Sequence, residues 1–379
     1  MNSANDSNYK NRWAILFIVV MVTFMCTLDS SIVNVALPVM AKALHVTSAG
    51  IQLVVTSYLI VISAAILVFG KLGDMLGKTK VFKFGIALFT LGSLFCGITS
   101  SLTVLVLARV VQAVGAAATM ANSQGIITGV FPANERGRAL GVTGTFVALG
   151  AMVGPGLGGF IVDATSWEYI FLINIPIGII TLFYGLKILP KANKTEKGKL
   201  DGYGALLFAF TIIPLFIALG KGQEIGFTHP IILIGFLISI VSFILFIFVE
   251  KKRKNPLLEL KIFENKLFSL SIFCGFISFM AMFCSVIIQP FYLQDVLKYS
   301  PAFTGLVLMV SPLVLSVVAP ISGHLSDKIG SEILTFIGLL INSIGLLLMS
   351  TLNEQTSLMS MVFYIVIMTI GNGDRKSVV

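Results

Sequence analysis

Long apolar runs, separated by short polar segments, occupy most of this 379-residue chain. A helix needs about 20 predominantly apolar residues to cross a bilayer, since each helical residue adds about 1.5 Å. Twelve runs are of about that length: 13–37, 51–69, 81–99, 103–130, 139–162, 169–189, 203–220, 230–249, 267–293, 302–322, 333–350 and 357–373. We therefore predict an all-α polytopic membrane protein, because a β-barrel would show short segments of alternating polarity instead.

The charged residues are few and unevenly placed. They make up 11% of the chain, and the net charge is +9, whereas an ordinary soluble domain carries about 25% charged residues. If the N-terminus lies in the cytoplasm, the segments on that side hold 20 Lys and Arg residues and the outer loops hold three. Because basic residues collect on the cytoplasmic side, this bias predicts a cytoplasmic N-terminus. Anionic membrane lipid, rather than nucleic acid, is then the expected partner of the positive charge.

A short motif occurs twice along the chain. The segments 70–80 (GKLGDMLGKTK) and 323–330 (GHLSDKIG) both contain G-x-x-x-D-x-x-G, and each lies between two apolar runs. The glycines permit a tight turn and a close approach of helices, and Asp74 can cap the helix that follows. A repeat of this kind predicts two related halves, as in secondary transporters.

The spacing of the two copies predicts the domain organisation. The first copy follows span 2 and the second follows span 10, so the second half begins at span 9 and spans 7 and 8 are inserted. The predicted segments are a cytoplasmic N-terminus (1–12), an N-terminal six-helix half (13–190), a cytoplasmic loop (191–202), two inserted spans (203–249), a second cytoplasmic loop (250–266) and a partial C-terminal half of four spans (267–373). On this interpretation 12 of an expected 14 spans are present. The last residues, 374–379 (DRKSVV), match the translation of a sequencing adapter, and we interpret them as an artefact, although a genuine basic tail is the alternative.

Two charged residues fall deep inside apolar runs. Asp29 lies 16 residues beyond Trp13, or roughly 24 Å along a helix. An ionised carboxylate at membrane depth costs about 2.5–3.5 kcal/mol, and burial favours the protonated form, so Asp29 suits proton coupling or contact with a substrate cation. The alternative is that Asp29 lies at a helix end and reaches the outer surface.

Arg109 is the second charged residue inside an apolar run. It stays charged and needs polar partners such as Gln112, three residues further along the same helix face. The alternative role of Arg109 is a structural tie between helices.

Five motifs in order resemble the major facilitator superfamily, and specifically its fourteen-span drug:proton antiporter family. They are LDSSIVNVALP (Leu28–Pro38), GKLGDMLGKTK (Gly70–Lys80), LARVVQAVGAA (Leu107–Ala117), GAMVGPGLGG (Gly150–Gly159) and WEYIFLINIPIG (Trp167–Gly178). The resemblance covers residues 10–373. It implies the major facilitator fold, with two six-helix halves and two inserted helices. It also implies proton-coupled efflux of apolar or cationic drugs or biocides across a bacterial cytoplasmic membrane by alternating access.

The resemblance also implies roles for individual residues. Asp29 and Arg109 would belong to the proton-coupling machinery. The duplicated motif would form a gate, comprising Gly70, Asp74, Gly77, Lys78, Lys80, Gly323, Asp327 and Gly330. The fifth span would carry the antiporter motif of Gly150, Gly154, Pro155, Gly158 and Gly159, in which small residues four apart permit tight helix contact. The alternative for the gate motif is a static turn, and the alternative for the antiporter motif is generic helix packing.

Six further side chains are candidates for a mixed apolar and polar substrate cavity: Met25, Asn34, Tyr58, Gln112, Gln289 and Tyr292. Each is also compatible with a place in the core or at a membrane boundary. An importer, symporter or exporter of one specific metabolite with the same fold stays open as an alternative function. An enzyme is not expected, because the sequence has no metal-ligand cluster, nucleophile–base pair or phosphate loop. We expect protons and a small-molecule substrate as partners, no metal, no cofactor beyond the proton gradient, and a monomer.

Overall fold

The computed structural model describes residues 11–190, 202–253, 256–258, 260–329 and 331–375. Every regular element in these ranges is helical. The helices are α1 (Arg12–Ala43), α2 (Ser48–Ile51), α3 (Leu53–Leu76), α4 (Lys78–Gly97), α5 (Leu102–Val130), α6 (Ala133–Ala164), α7 (Tyr169–Leu172), α8 (Asn174–Ile188), α9 (Gly202–Ile225), α10 (Pro230–Lys252), α11 (Lys266–Phe291), α12 (Pro301–Leu308), α13 (Val310–Ile329), α14 (Ser331–Met349) and α15 (Leu358–Arg375). A 3₁₀ turn spans Leu260–Glu264, and a π-helical turn spans Tyr292–Val296.

The apolar runs of the sequence become helices. In the described ranges, nine helical stretches are long and apolar enough to cross a membrane, and they coincide with the first eight predicted spans and the tenth. Shorter apolar helices, Phe268–Ile277, Phe336–Met349 and Leu358–Gly371, lie where spans 9, 11 and 12 are predicted. The all-α polytopic fold is thus confirmed, whereas the total number of spans stays a prediction.

The outward faces of these helices are apolar as well. Leu347 is 69% exposed, Phe160 65% and Phe248 60%. Exposing such surface to water is unfavourable by about 25 cal/mol per Å². Helices also satisfy their backbone hydrogen bonds internally, so these faces suit the hydrocarbon of a bilayer.

Local chemistry explains several helix boundaries. Gly77 separates α3 from α4 with φ +98°, a conformation that side-chain-bearing residues rarely adopt. Its N–H donates to the carbonyl of Gly73 at 2.9 Å. The helix α12 begins after Ser300, whose Oγ accepts from the N–H of Phe303, and Pro301 occupies the first helical turn.

The described residues group into two compact units. Unit 1 takes those of Met1–Cys26, Ile51–Phe146 and Phe171–Ser269, and unit 2 takes those of Thr27–Gly50, Val147–Ile170 and Leu270–Val379. The long helices α1, α6 and α11 therefore contribute to both units. The division of the chain into a six-helix half, two inserted spans and a partial second half, with boundaries at 190, 203, 249 and 267, stays a prediction.

Each unit has its own apolar core. In unit 1, α4 packs closely along α5, and α9 packs against α10 and α3. The core there includes Ile15, Val19, Phe82, Phe89 and Ala113, which are all 0% exposed. In unit 2, α15 packs against α13 and α14, around a core of Val35, Leu293, Val307, Leu308, Met361 and Ile365.

Candidate functional site

Arg109 lies at the centre of a polar cluster inside unit 1. Its side chain, on α5, is 1% exposed. Its Nε donates to the backbone carbonyl of Val54 on α3 at 3.1 Å, and its Nη1 donates to Oε1 of Gln112 at 2.6 Å. Two donors of one planar guanidinium therefore reach acceptors on two helices, which a single ammonium group does not reproduce.

A second pair of hydrogen bonds extends this cluster to α4. Gln112 Nε2 donates to Ser93 Oγ at 2.8 Å, and Ser93 Oγ donates to the carbonyl of Phe89 at 2.9 Å. Gln112 and Ser93 are both 0% exposed. The thiol of Cys96 lies 3.8 Å from Gln112 Oε1. Gln112, a candidate for substrate contact in the sequence, thus has both ends of its amide engaged within unit 1.

Two aromatic rings cover the guanidinium. The Cζ atom of Arg109 lies 3.9 Å from the ring centroid of Tyr58 on α3 and 5.6 Å from that of Phe171 on α7. A cation within about 6 Å of an aromatic centroid is attracted by the ring quadrupole, most strongly where water is excluded. Tyr58 is 2% and Phe171 0% exposed. The rings therefore help to stabilise a positive charge that burial would otherwise disfavour.

Glycines let α4 and α5 come close enough to form this cluster. A Cβ atom at Gly92 would lie 2.6 Å from the backbone N and Cα of Gln112. A Cβ atom at Gly115 would lie 2.3 Å from the backbone N of Phe89. Because backbone atoms cannot move aside as a side chain can, these two glycines set the distance between the helices.

Asp29 is buried in the part of α1 that belongs to unit 2. It is 0% exposed, and α1 continues to Ala43, so Asp29 does not lie at a helix end. Close by along the helix, Ser31 Oγ donates to the carbonyl of Gly150 at 3.0 Å. Asn34, which is 9% exposed, donates from Nδ2 to the carbonyl of Ser30 at 3.3 Å. A fully buried carboxylate thus lies among polar residues of the first sequence motif.

The predicted antiporter motif packs on two sides within unit 2. On one side, a Cβ atom at Gly154 would lie 1.8 Å from Ser31 Oγ, and one at Gly158 would lie 2.5 Å from a side-chain carbon of Ile32. Gly150 belongs to the same ridge, since it accepts from Ser31. This ridge therefore faces α1.

The other side of the motif faces α12. A Cβ atom at Gly159 would lie 2.2 Å from the carbonyl oxygen of Pro301, and one at Gly305 would lie 2.2 Å from the carbonyl oxygen of Pro155. Pro155 itself lies inside α6. The motif therefore brings backbone against backbone on the α12 side, and backbone against the side chains of Ser31 and Ile32 on the α1 side.

The first copy of the predicted gate motif forms the junction of α3 and α4. Asp74 Oδ1 lies 3.2 Å from Lys78 Nζ, with both side chains 42% exposed. The Lys78 side chain lies over Gly125 of α5, where a Cβ atom would be 2.7 Å from Lys78 Cδ. Lys80 is exposed. Gly323 and Asp327 of the second copy fall on α13, but their side-chain surroundings, and Gly330 altogether, lie outside the described residues.

Asn122 connects this junction to α5. Its Nδ2 donates to the carbonyl of Phe69 on α3 at 3.0 Å, and its amide lies against Gly73, where a Cβ atom would be 1.7 Å from Asn122 Oδ1. Next to the junction is a cleft of about 410 Å³. The residues that line it are Ile66, Leu67, Gly70, Lys71, Asp74, Ala121, Pro256 and Leu257.

Of the remaining cavity candidates, Met25 belongs to unit 1, whereas Gln289 and Tyr292 belong to unit 2. Met25 is 0% exposed and belongs to the core of unit 1. Gln289, which is 4% exposed, lies near the end of α11 in unit 2. The hydroxyl of Tyr292 donates to the carbonyl of Asn353 at 2.7 Å. Their contact with a substrate stays a prediction.

Sequence reasoning overlooked Ser93, Phe171 and Asn122. A polar residue inside an apolar run was the available signal for Ser93 and Asn122, because a buried polar group needs a partner. Phe171 lies within the recognised motif 167–178, yet nothing in the motif indicates that its ring faces Arg109.

Comparisons with known proteins agree with this architecture. The chain is similar to the riboflavin transporter RibZ of Clostridioides difficile, at 37% identity over 369 residues, which is 97% of this chain and 80% of that protein. It is 33% identical over 340 residues to the multidrug resistance protein Stp of Mycobacterium tuberculosis, covering 89% of this chain and 63% of that protein. The multidrug transporter protein MdtP of Bacillus subtilis is 28% identical over 374 residues, or 98% of this chain and 69% of that protein.

A solved structure shares the fold. The xylose transporter XylE of Escherichia coli, in a partially occluded inward-open conformation, matches with a TM-score of 0.63 at 13% identity, over 97% of this chain and 84% of that chain. The sequence profile of the Major Facilitator Superfamily matches residues 19–373. This chain is therefore a multi-pass membrane transporter that belongs to the major facilitator superfamily.

Proposed function

We propose that this protein is a proton-coupled exporter of apolar or cationic drugs and biocides. The observation that carries the proposal is the burial of two charged residues within apolar helices, Asp29 in unit 2 at 0% exposure and Arg109 in unit 1 at 1% exposure. A carboxylate can bind either a proton or a cationic substrate, so one buried carboxylate can exchange the two. Arg109, in contrast, keeps its charge at every step of such a cycle.

The proton gradient supplies enough free energy for such export. Each unit of pH difference provides about 1.4 kcal/mol per proton, and 100 mV of membrane potential adds about 2.3 kcal/mol per charge. One proton at a typical gradient can therefore support a concentration ratio of more than tenfold for its substrate.

The two motifs have mechanical parts in this proposal. The Asp74–Lys78 pair is partly exposed at a helix junction, so it can break and re-form at low cost as a gate. The antiporter motif, with contacts to α1 and α12, provides a rigid support against which other helices move. Alternating access around a midplane site is the mode of transport that fits this fold.

The proposal extends to the branch of the family and to topology. We place the chain in the fourteen-span drug:proton antiporter family, with α9 and α10 as the inserted pair and the N-terminus in the cytoplasm of a bacterium. The names of Stp and MdtP support drug transport, and the distribution of Lys and Arg supports the orientation. We propose a monomer surrounded by lipid.

Transport in proteoliposomes tests the main proposal. A pH gradient imposed on vesicles with the purified protein should drive accumulation of a fluorescent cationic dye such as ethidium, and dissipating the gradient should release the dye. Asp29→Asn should abolish the gradient-driven accumulation while leaving insertion and thermal stability unchanged. Accumulation by Asp29→Asn from the pH gradient alone would show that another residue couples the proton.

Riboflavin transport is the second candidate function. Its support is the 37% identity to a protein named as a riboflavin transporter. The same vesicles separate the two functions, because riboflavin is itself fluorescent. Riboflavin movement that dye does not inhibit, with no dye accumulation, would favour the specific metabolite over drug efflux.

A further inference from the structure

We propose that the π-helical turn Tyr292–Val296 is a latch for the second half of α1, which it holds in this structure and releases during the transport cycle. In the proposed topology this end of α1 faces the outside of the cell. The inference rests on the proposed function, because releasing α1 serves a protein that opens to alternate sides of the membrane.

Two side chains of the turn bind α1 within unit 2. Gln294, which is 6% exposed, donates from Nε2 to the backbone carbonyl of Val35 at 2.8 Å. Asp295 Oδ1 lies 2.9 Å from Lys42 Nζ, and these side chains are 36% and 68% exposed. Leu293 and Val35 belong to the same apolar core, and both are 0% exposed. A buried hydrogen bond, an exposed ion pair and a shared core thus connect the turn to α1.

The turn is also attached to the C-terminal helices. The hydroxyl of Tyr292 donates to the carbonyl of Asn353, between α14 and α15, at 2.7 Å. The backbone departs from α-helical bonding here, since the N–H of Leu297 donates to the carbonyl of Tyr292 at 3.0 Å. Lys298 follows with φ +59°, which is uncommon for a residue with a side chain. Wide helical turns of this kind occur frequently at functional sites.

The helix α1 cannot keep all of its contacts during a rocking cycle. Residues from Ile15 to Cys26 contribute to the core of unit 1, whereas Val35 belongs to the core of unit 2. When two bodies rock relative to each other, a continuous helix that is attached to both has to bend or detach from one. The Lys42–Asp295 pair is exposed, so it contributes little stability and breaks easily. We therefore expect α1 to detach at this turn.

A removable crosslink tests whether the contact has to break. In the variant Lys42→Cys/Asp295→Cys, a short bifunctional methanethiosulfonate joins the two cysteines, and a reducing agent removes it again. The native cysteines that are not buried, Cys274 and Cys284, are first replaced by serine. In vesicles with the full chain, the crosslinked protein should transport at least tenfold more slowly than the same protein after reduction.

The matched control for the crosslink is Ser357→Cys/Ser360→Cys. The two hydroxyls lie 2.9 Å apart at the start of α15, and the residues are three positions apart in the chain. A crosslink there joins neighbouring positions of one helix end, so it should change the transport rate less than twofold. Ethidium and riboflavin are both offered, so the result does not depend on which of them the protein carries.

A second readout needs no transport. Val35 is 0% exposed, and Val35→Cys keeps the backbone carbonyl that accepts from Gln294. In nanodiscs, where both faces are open to the reagent, a water-soluble maleimide should modify this cysteine at least fivefold faster when Asp295→Lys is added, because like charges then repel. Adding Lys42→Asp as well should restore the slow reaction. Glu354→Lys makes the same charge change at an exposed residue between α14 and α15 and should have no effect.

The outcomes separate the latch from the proposed function. If the crosslink does not form, or if the crosslinked protein transports as fast as the reduced protein, the latch is wrong. Equal losses in the two crosslinked pairs would also overturn it. If wild-type protein moves neither ethidium nor riboflavin, the proposed function is wrong and the maleimide reaction decides. A faster reaction with Asp295→Lys than with Glu354→Lys, reversed by Lys42→Asp, supports the latch, and equal rates overturn it.

Discussion

The guanidinium carbon of Arg109 lies 3.9 Å from the centre of the Tyr58 ring, and both side chains are almost completely buried. The two residues belong to different helices, α5 and α3. The same helix α3 supplies the Val54 carbonyl that accepts from Arg109. One short stretch of α3 thus stabilises the buried charge both through a ring face and through a backbone oxygen.

Tyr58→Leu should reduce gradient-driven transport about tenfold or more, because a desolvated cation–π contact is worth about 2 kcal/mol. Tyr58→Phe is the control, since it keeps the ring and removes the hydroxyl, and it should keep transport within about threefold of wild type. Initial rates of dye accumulation in vesicles measure both. Equal rates for the two variants would mean that the ring face does not matter.

Arg109→Lys should lose at least tenfold in transport rate although the charge is retained. The Val54 carbonyl and Gln112 Oε1 bind different nitrogens of the guanidinium, and one ammonium does not occupy both positions. Arg138→Lys serves as the control, since Arg138 is an exposed residue whose guanidinium lies 5.1 Å from the Trp13 ring centroid. Near wild-type transport by Arg109→Lys would show that a point charge suffices.

Gly77→Ala should destabilise the folded protein by about 1–3 kcal/mol, because Gly77 has φ +98°, where a Cβ atom is strained. Thermal unfolding in detergent, followed by circular dichroism, measures the effect. Gly70→Ala is the matched control within the same motif. A Cβ atom there meets nothing within 4 Å, so this change should be neutral or slightly stabilising. A Gly77→Ala protein as stable as Gly70→Ala would contradict the strained junction.

Gly159→Ala should weaken the contact of α6 with α12 and lower the unfolding temperature, since its Cβ atom would lie 2.2 Å from the carbonyl oxygen of Pro301. Overpacking of this kind costs about 1–3 kcal/mol. Gly144→Ala, on the same helix α6 with open space around its Cβ position, is the control and should not destabilise. Cysteine pairs across α6 and α12 in the two backgrounds would show whether the helices separate. If both variants unfold at the wild-type temperature, the close approach is not required.

The fold was largely predictable because its main signal is local. An apolar run of about 20 residues favours a membrane-spanning helix whatever its neighbours are, since the transfer free energy adds up along the run. Gly77 between α3 and α4 agrees with the tight turn predicted from the motif, because glycine tolerates φ +98°. The burial of Asp29 and the Arg109–Gln112 pair were predictable for the same reason, as they depend on position within one helix.

The sequence by itself determined the helical segments, the motif positions and the helix face that Arg109 and Gln112 share. Only the tertiary structure decided that Ser93 accepts from Gln112, that Phe171 covers Arg109, and that Gly159 lies against Pro301. Those contacts join residues on different helices, and their geometry depends on how far each helix is rotated and how closely the backbones approach. The sequence of an apolar run does not show which side of the helix faces other helices, because the bilayer and the protein interior favour the same apolar side chains. The close approach depends on glycines that meet across the helices, and these pairings exist only once the helices have packed.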